Sequence, residues 1–139
     1  MKNREDARVI KAIKSWPQAA DLSDKDVKTI ARLTQLTSVP EGWAFIREGT
    51  PGDAAYLILA GTANVLVGGK VVAALGPGDV TGEIALARGG LRTATVAATT
   101  KCTFLHIERD DFEKLKTASP AGYELFIRYV EERIAALSG

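Results

Sequence analysis

A carboxylate and a guanidinium, Glu83 and Arg92, stand in the glycine-studded run Gly78-Asp79-Val80-Thr81-Gly82-Glu83-Ile84-Ala85-Leu86-Ala87-Arg88-Gly89-Gly90-Leu91-Arg92-Thr93-Ala94-Thr95-Val96. Glu83 to Ala87 favours helix but is too short to be stable alone. A short helix there, with Gly82 at its start, leaves the backbone N–H groups of Ile84 and Ala85 unpaired, and such groups attract anions. Arg92 follows the flexible Gly89-Gly90 turn and is expected to open the next strand. From that position it can reach back and hold a phosphate in a forked, charge-assisted contact. Glu83 would repel a phosphate it touched. It makes sense as the acceptor of a hydrogen bond from a sugar hydroxyl. Phosphate at Arg92 and ribose at Glu83 together describe a nucleotide held by its sugar-phosphate. The plainer alternative is a Glu83–Arg92 ion pair that closes a loop, because structural pairs of this kind are common.

These residues need a scaffold, and the chain divides into three zones that could supply it. Residues 4–36 read as helical. Glu5 to Lys14 forms an amphipathic stretch that stops near Trp16-Pro17, since the residue before proline avoids the helical region. Ser23 can cap a second helix, with Asp26 three residues on and Leu22 and Val27 placed as a hydrophobic staple. Val27, Ile30 and Ala31 give that helix one apolar stripe. Residues 37–108 carry short apolar runs separated by Gly and Pro: Trp43–Ile46, Tyr56–Leu59, Ala63–Val67, Val71–Leu75, Thr93–Val96 and Cys102–Ile107. Such runs are strand-length, and regularly spaced short strands suggest a closed or rolled β structure. Gly68-Gly69 reads as a tight hairpin turn. Residues 109–137 return to helix. Asp110 or Asp111 starts a short one through Leu115, and Ser119-Pro120 opens a longer one with proline in its first turn. In that helix Tyr123, Phe126, Ile127, Val130, Ile134 and Leu137 follow helical spacing.

Composition narrows the function classes. The 139 residues suit one domain, 46% of them are apolar and 25% charged, and the net charge is +1. That is ordinary globular composition. The near balance of charge argues against a dedicated nucleic-acid surface. No apolar run reaches the roughly 18 residues of a membrane span. The charged N-terminus lacks the apolar core of a secretion signal. One cysteine, Cys102, and one histidine, His106, read as plain strand residues. They supply neither an internal disulfide nor a histidine cluster, so a reduced, metal-free, cytoplasmic protein is expected.

The segment GEIALARGGLRTATV resembles the phosphate-binding cassette of the cyclic-nucleotide-binding domain family, the type found in catabolite activator and in protein kinase A regulatory subunits. The family's pattern reads roughly Gly-Glu-[Ile/Leu]-Ala-Leu, a short variable loop, then Pro-Arg-[Thr/Ala/Ser]-Ala-[Thr/Ser]-Val. FIREGTPGDAAYLILAGTANV resembles the family's first strands, and LGPGDVTGE the stretch leading into the cassette. The likeness runs from about Leu22 to Leu137 and is that of a stand-alone, bacterial-like module.

This resemblance implies an α+β fold: an antiparallel, jelly-roll-like β-roll with a short cassette helix, flanked by N-terminal and C-terminal helices. Residues 1–139 would be a single domain, with helices over 1–38, the β-roll over 39–108 with its cassette at 82–96, and helices over 109–139. It implies that Glu83, with Gly82 beside it, binds the ribose 2′-hydroxyl. Arg92 would pair with the exocyclic phosphate, and the amides of Ile84 and Ala85 would bind phosphate oxygens. Thr93 would bond phosphate through its hydroxyl, and in some members a hydroxyl there also favours guanine. Val65 and Val96 match apolar positions that line the base pocket. The helical row from Tyr123 reads mainly as core or dimer seam, with one aromatic, Phe126 or Tyr129, expected over the base.

Three departures from the pattern stand out. Leu91 replaces the usual proline before the arginine, which should loosen the loop. Val80-Thr81 replaces an aromatic pair. The last helix is short, ending near Leu137, so direct DNA binding is not expected. The leading reading is a regulatory module that binds a cyclic nucleotide, cAMP being expected ahead of cGMP, shifts its terminal helices and signals to an effector protein not identified by the sequence. A homodimer through the C-terminal helix is open to it. No cofactor beyond the cyclic nucleotide ligand is implied, and no membrane span. The main alternative is a degenerate, nucleotide-free β-roll that serves as an interaction or scaffold unit. An enzyme is disfavoured, because one histidine cannot build a metal site and no nucleophile–base pair is visible.

Overall fold

The structure, a computed structural model, describes residues 3–82 and 90–127. Two helices lead the chain, α1 (Asn3–Lys14) and α2 (Asp24–Leu33), joined through a 3-10 turn at Pro17–Ala19. Proline sits in the first turn of that 3-10 element, where its missing N–H costs nothing. Among the described residues eight strands follow: β1 (Gln35–Val39), β2 (Ala44–Ile46), β3 (Ala54–Ala60), β4 (Ala63–Val67), β5 (Lys70–Leu75), β6 (Val80–Thr81), β7 (Thr95–Ala98) and β8 (Cys102–Glu108). Helix α3 (Arg109–Ala118) leaves β8 without a break. A further helix, α4, is described over 120–127.

The strands form two four-stranded sheets, ordered β1-β8-β3-β6 and β2-β7-β4-β5, with every pairing antiparallel. Alternation along β3 and β8 explains how one sheet serves two cores. Ala55 and Leu57 of β3, with Leu105 and Ile107 of β8, face the helices. There they meet Val9, Ile13, Trp16, Val27, Ile30, Phe112 and Leu115. Ile58, Cys102 and Phe104 face the second sheet and pack with Ile46, Val65, Leu75 and Val96. Because both faces are covered, these strands read in the sequence as continuous apolar runs. β5 is different: it is an edge strand whose first five residues are exposed although most are apolar.

Local signals placed several elements. Ser23 caps α2, its hydroxyl accepting from the Asp26 N–H at 3.1 Å. Gly68 and Gly69 adopt φ of 57° and 81° and close the β4–β5 hairpin. Positive φ at both central residues is what such a turn demands. Ser119 caps α4, accepting from the Gly122 N–H at 3.1 Å. One carboxylate joins the two caps: Asp26 accepts from Ser119 at 2.8 Å and from Ser23 at 2.9 Å.

Two expectations are corrected. The helical reading of 4–36 overruns into β1, which pairs along its whole length with β8 from Gln35↔His106 to Val39↔Cys102. Gln35, Thr37 and Ser38 are exposed. This strand therefore lacks the apolar run that marks the others. The strand expected at Thr93–Val96 begins instead at Thr95, because the chain bends at 93–94 after Arg92 has paired elsewhere.

The Asp26 node generates a test. Hydrogen bonds from Ser119, then Ser23, hold the Asp26 carboxyl below its ordinary range, against a smaller opposing effect of burial. A depressed folded-state value means the stabilisation is present above the unfolded value and lost as pH falls through the folded one. Ser119→Ala removes both a cap and an Asp26 partner. It should lower stability by about 1–2 kcal/mol in urea denaturation at neutral pH and make the loss of stability below pH 4 shallower. An unchanged urea midpoint would contradict the node's role.

Candidate functional site

Arg92 sits where three backbone segments converge. The loop that leaves β2 pairs with the chain around Arg92 through Gly49 N–H to Arg92 O (2.9 Å), Arg92 N–H to Thr50 O (2.7 Å) and Gly52 N–H to Gly90 O (3.2 Å). Pro51 and Leu91 face each other as an isolated antiparallel bridge. Neither bond flanking that bridge uses the Leu91 N–H, so a family proline or this leucine can occupy the position. The loosening expected from Leu91 is accordingly not what the structure has: residues 90–92 are tied down.

This pairing turns the Arg92 side chain inward, and it is 5% exposed. Burying a guanidinium is costly unless its donors are met. Nη1 donates to Gly82 O at 2.9 Å and Nη2 to Ala54 O at 2.6 Å. The Asp53 carboxylate, itself exposed, lies 3.8 Å from Nη2. Gly82 has a φ of 85°, and a Cβ there would stand 2.8 Å from both Ala54 O and Arg92 Nη1. Only glycine fits the backbone and the contact together. The segment before it, β6, pairs Val80 with Leu57 and Thr81 with Tyr56, and both of its side chains are buried. The non-aromatic Val80-Thr81 pair is thus the floor on which Gly82 rests.

Arg92, Asp53, Tyr56, Arg47 and Thr50 line a cavity of about 270 Å³ between this loop and the roll. Burial pushes the Tyr56 phenol up. Arg92 partly offsets that rise, while Asp53 and Glu108 add to it. Tyr56 stacks on His106 with ring centroids 5.2 Å apart and planes 10° apart, and packs edge-on against Phe104. On the far side of Asp53, the Arg109 N–H donates to Asp53 O at 2.9 Å and its guanidinium to Gly52 O. One loop therefore touches Arg92 at one end and the start of α3 at the other.

Of the residues singled out in the sequence, Gly82 and Arg92 are in contact. Val65 and Val96 are direct cross-strand partners, 8% and 2% exposed. Ala73 of β5, opposite Val65, continues their row and was not singled out. The signal for it was the Gly68-Gly69 turn, which sets the hairpin register. Thr93 lies exposed on the bend before β7, not in a strand. Phe126 does not join Val65 and Val96. It is buried on the helical side of the first sheet against Trp16 and Phe112, at centroid distances of 5.9 and 6.2 Å. Glu83, Ile84, Ala85 and Tyr129 lie outside the described residues. Asp53 is the residue that sequence reasoning missed, although the turn chemistry of Gly49-Thr50-Pro51-Gly52 marks the loop that carries it. Cys102 is a buried strand residue whose thiol, pushed up by burial, donates to Thr62 O at 3.1 Å. Among the described residues no group of His, Cys, Asp and Glu is arranged to hold a metal, and no helix is long and apolar enough to cross a membrane.

Among the described residues, two four-stranded antiparallel sheets with helices on one face, and a buried arginine between β6 and β7 in the chain, define a helix-flanked β-roll. The family model described as the cyclic nucleotide-binding domain matches residues 36–119. The chain belongs to that family. It is 36% identical over 107 residues to the cyclic nucleotide-gated potassium channel mll3241 of Mesorhizobium japonicum, covering 77% of this chain and 30% of the channel. It is 38% identical over 105 residues to the cAMP-dependent protein kinase regulatory subunit of Yarrowia lipolytica, covering 74% of this chain and 28% of that one. The chain thus spans under a third of the length of these two curated relatives. Their names are those of a channel and a regulatory subunit, not of a catalytic chain. Among solved structures, the regulatory domain of Toxoplasma gondii PKA with cAMP is similar at a TM-score of 0.69 and 28% identity, over 83% of this chain and 46% of that one.

Gly82→Ala tests the geometry directly. The added methyl should displace Arg92 from the Gly82 carbonyl and lower stability by about 1–3 kcal/mol. A urea midpoint equal to the parent's would show that the close approach is unimportant.

Proposed function

We propose that this chain is a cAMP-binding regulatory module that passes ligand occupancy to an effector protein through its terminal helices, residues 1–139 acting as one domain. The observation that carries the reading is the inward-turned Arg92, held at the end of the cassette by the carbonyls of Gly82 and Ala54. A phosphodiester is a better acceptor for a buried guanidinium than neutral carbonyls, because both partners are then charged and the planar fork can bond two phosphate oxygens at once. The ligand's phosphate would draw on Arg92, on the amides of Ile84 and Ala85 and on the Thr93 hydroxyl. Its ribose 2′-hydroxyl would donate to Glu83 beside Gly82. Val65, Val96 and Ala73 offer the base an apolar wall.

Preference for cAMP over cGMP rests on that wall, which presents no polar side chain to read guanine, and on the exposed position of Thr93. It is also in keeping with the cAMP-dependent yeast relative and the cAMP-containing Toxoplasma structure. For output, the loop from Gly49 to Asp53 is bonded to Arg92 and to Arg109 at the head of α3. Movement of Arg92 toward a phosphate would pull on α3 and the helix that follows. The ligand biases this switch only by as much as it prefers the shifted state.

The second reading, a nucleotide-free scaffold, has one observation in its favour: Arg92 is already well bonded within the protein. Calorimetric titration with cAMP and cGMP separates the two. The regulatory module should bind both, cAMP more tightly, and no heat with either at high concentration would refute it. Arg92→Ala should weaken cAMP binding by about 1.5–3 kcal/mol, or roughly 10–150-fold. Arg92→Lys, which keeps the charge but not the fork, controls for the lost carbonyl contacts. Glu83→Ala should weaken cAMP while leaving affinity for its 2′-deoxy analogue nearly unchanged. Equal losses for the two ligands would remove Glu83 from the ribose.

A further inference from the structure

Arg47 lines the same cavity as Arg92. It follows Ile46, the last residue of β2, and is exposed. Its carbonyl accepts from the Thr50 N–H (3.2 Å) and the Thr50 hydroxyl (2.6 Å), which folds the turn that fixes where its side chain starts. Among the described residues no carboxylate stands within ion-pair distance of its guanidinium. The two nearby acids are engaged elsewhere. Glu48 accepts from the Gly68 N–H at 3.1 Å, holding the β4–β5 hairpin tip, and Asp53 lies against Arg92. Among the described residues, the cavity lining therefore carries two guanidinium groups against the carboxylate of Asp53, a positive balance.

We propose that Arg47 is a second cation of this site, one that draws a phosphate-bearing ligand toward Arg92 and acts on its arrival rather than on its final hold. For a cyclic nucleotide this rests on the binding function proposed above. The division of labour follows from burial. Arg92 is enclosed, so its contact is made late and lost only when the ligand leaves. Arg47 is at the rim and in water, where a charge alters the association rate and its salt dependence far more than the dissociation rate. Electrostatic focusing in a charged cleft raises on-rates by about 10–10³-fold in all, of which one rim cation supplies a part.

The test has two arms on the full chain. In the first, stopped-flow kinetics with a fluorescent cAMP analogue compare wild type with Arg47→Ala, Arg47→Glu and Arg47→Lys over a range of ionic strength. Arg47→Glu should slow association at low salt by about threefold or more. It should leave dissociation nearly unchanged and flatten the salt dependence. Arg47→Ala should fall between, and Arg47→Lys should restore the wild-type rate, since steering needs charge and not a fork. An association rate for Arg47→Glu equal to wild type would overturn the proposal. In the second arm, the side-chain Nε–H resonances of Arg47 and Arg92 are followed during titration with inorganic phosphate. A saturable shift at Arg47, together with failure of any cyclic nucleotide to bind, would keep the anion site and remove the nucleotide reading. No saturable shift at Arg47 in a protein that binds no cyclic nucleotide would overturn the proposal.

Discussion

The burial of one guanidinium organises the half of this protein that carries the candidate site. A charged group at 5% exposure is sustained only by partners fixed in place, and Arg92 takes them from β3, from the end of β6 and from the loop after β2. Each partner imposes its own condition. The Gly82 carbonyl is reachable because Gly82 has no side chain and a φ closed to other residues. The Ala54 carbonyl is available at the first residue of β3, where the ladder with β8 opens at Ala54↔Glu108. The Asp53 carboxylate is close because Gly49, Thr50 and Gly52 pair with residues 90–92. Were the guanidinium removed, two inward-facing carbonyls would lose their donors, and that penalty usually exceeds the net worth of the bonds themselves.

A second constraint is that the sheet β1-β8-β3-β6 is buried on both faces. Phe104 looks into the roll and Leu105 into the helices, one residue apart on the same strand. A displacement of β3 or β8 is therefore felt by both cores, which are close-packed and yield little. The aromatic set Phe45, Tyr56 and Phe104, with His106 stacked on Tyr56, runs from the cavity into the inter-sheet core. On the helical face, Trp16 joins the N-terminal turn to Gly78 by a 3.0 Å bond and to α4 through Phe126. The turn after α1 and the last helix described are thus linked to each other and to the stretch leading into the cassette.

These contacts give the proposed switch its physical content. Arg92 and Arg109 hold opposite ends of one short loop, so the site and the head of α3 share backbone rather than a chain of loose side chains. The Asp26 node does the same for α2 and α4, whose caps meet on one carboxylate. Such small polar nodes, set against two apolar cores, are where a few hydrogen bonds can separate two arrangements of the same helices.

How much of this was legible in the residues depends on how far apart the partners lie. Ser23 as a cap, Ser119-Pro120 as a helix start, Gly68-Gly69 as a hairpin and the apolar runs of β3, β4 and β8 are local facts. Each is decided within a few residues by backbone sterics or by the alternation of side chains, so the sequence alone determined them. The family resemblance added the cassette and set Gly82 and Arg92 in relation. The tertiary structure decided the rest. Gln35–Val39 is a strand only because β8 offers it an edge, since each of its faces carries one apolar residue, Leu36 or Val39, among polar ones and so gives no apolar run. Phe126 has the helical spacing of a base-covering aromatic, but the packing of α4 on Trp16 and Phe112 turned it to the other side of the sheet. Arg92 was recognisable as a charge in search of an anion. That it is buried, that it is held by carbonyls far from it in the chain, and that Asp53 stands beside it follow from which segments the fold brings together, and no spacing along the chain encodes that.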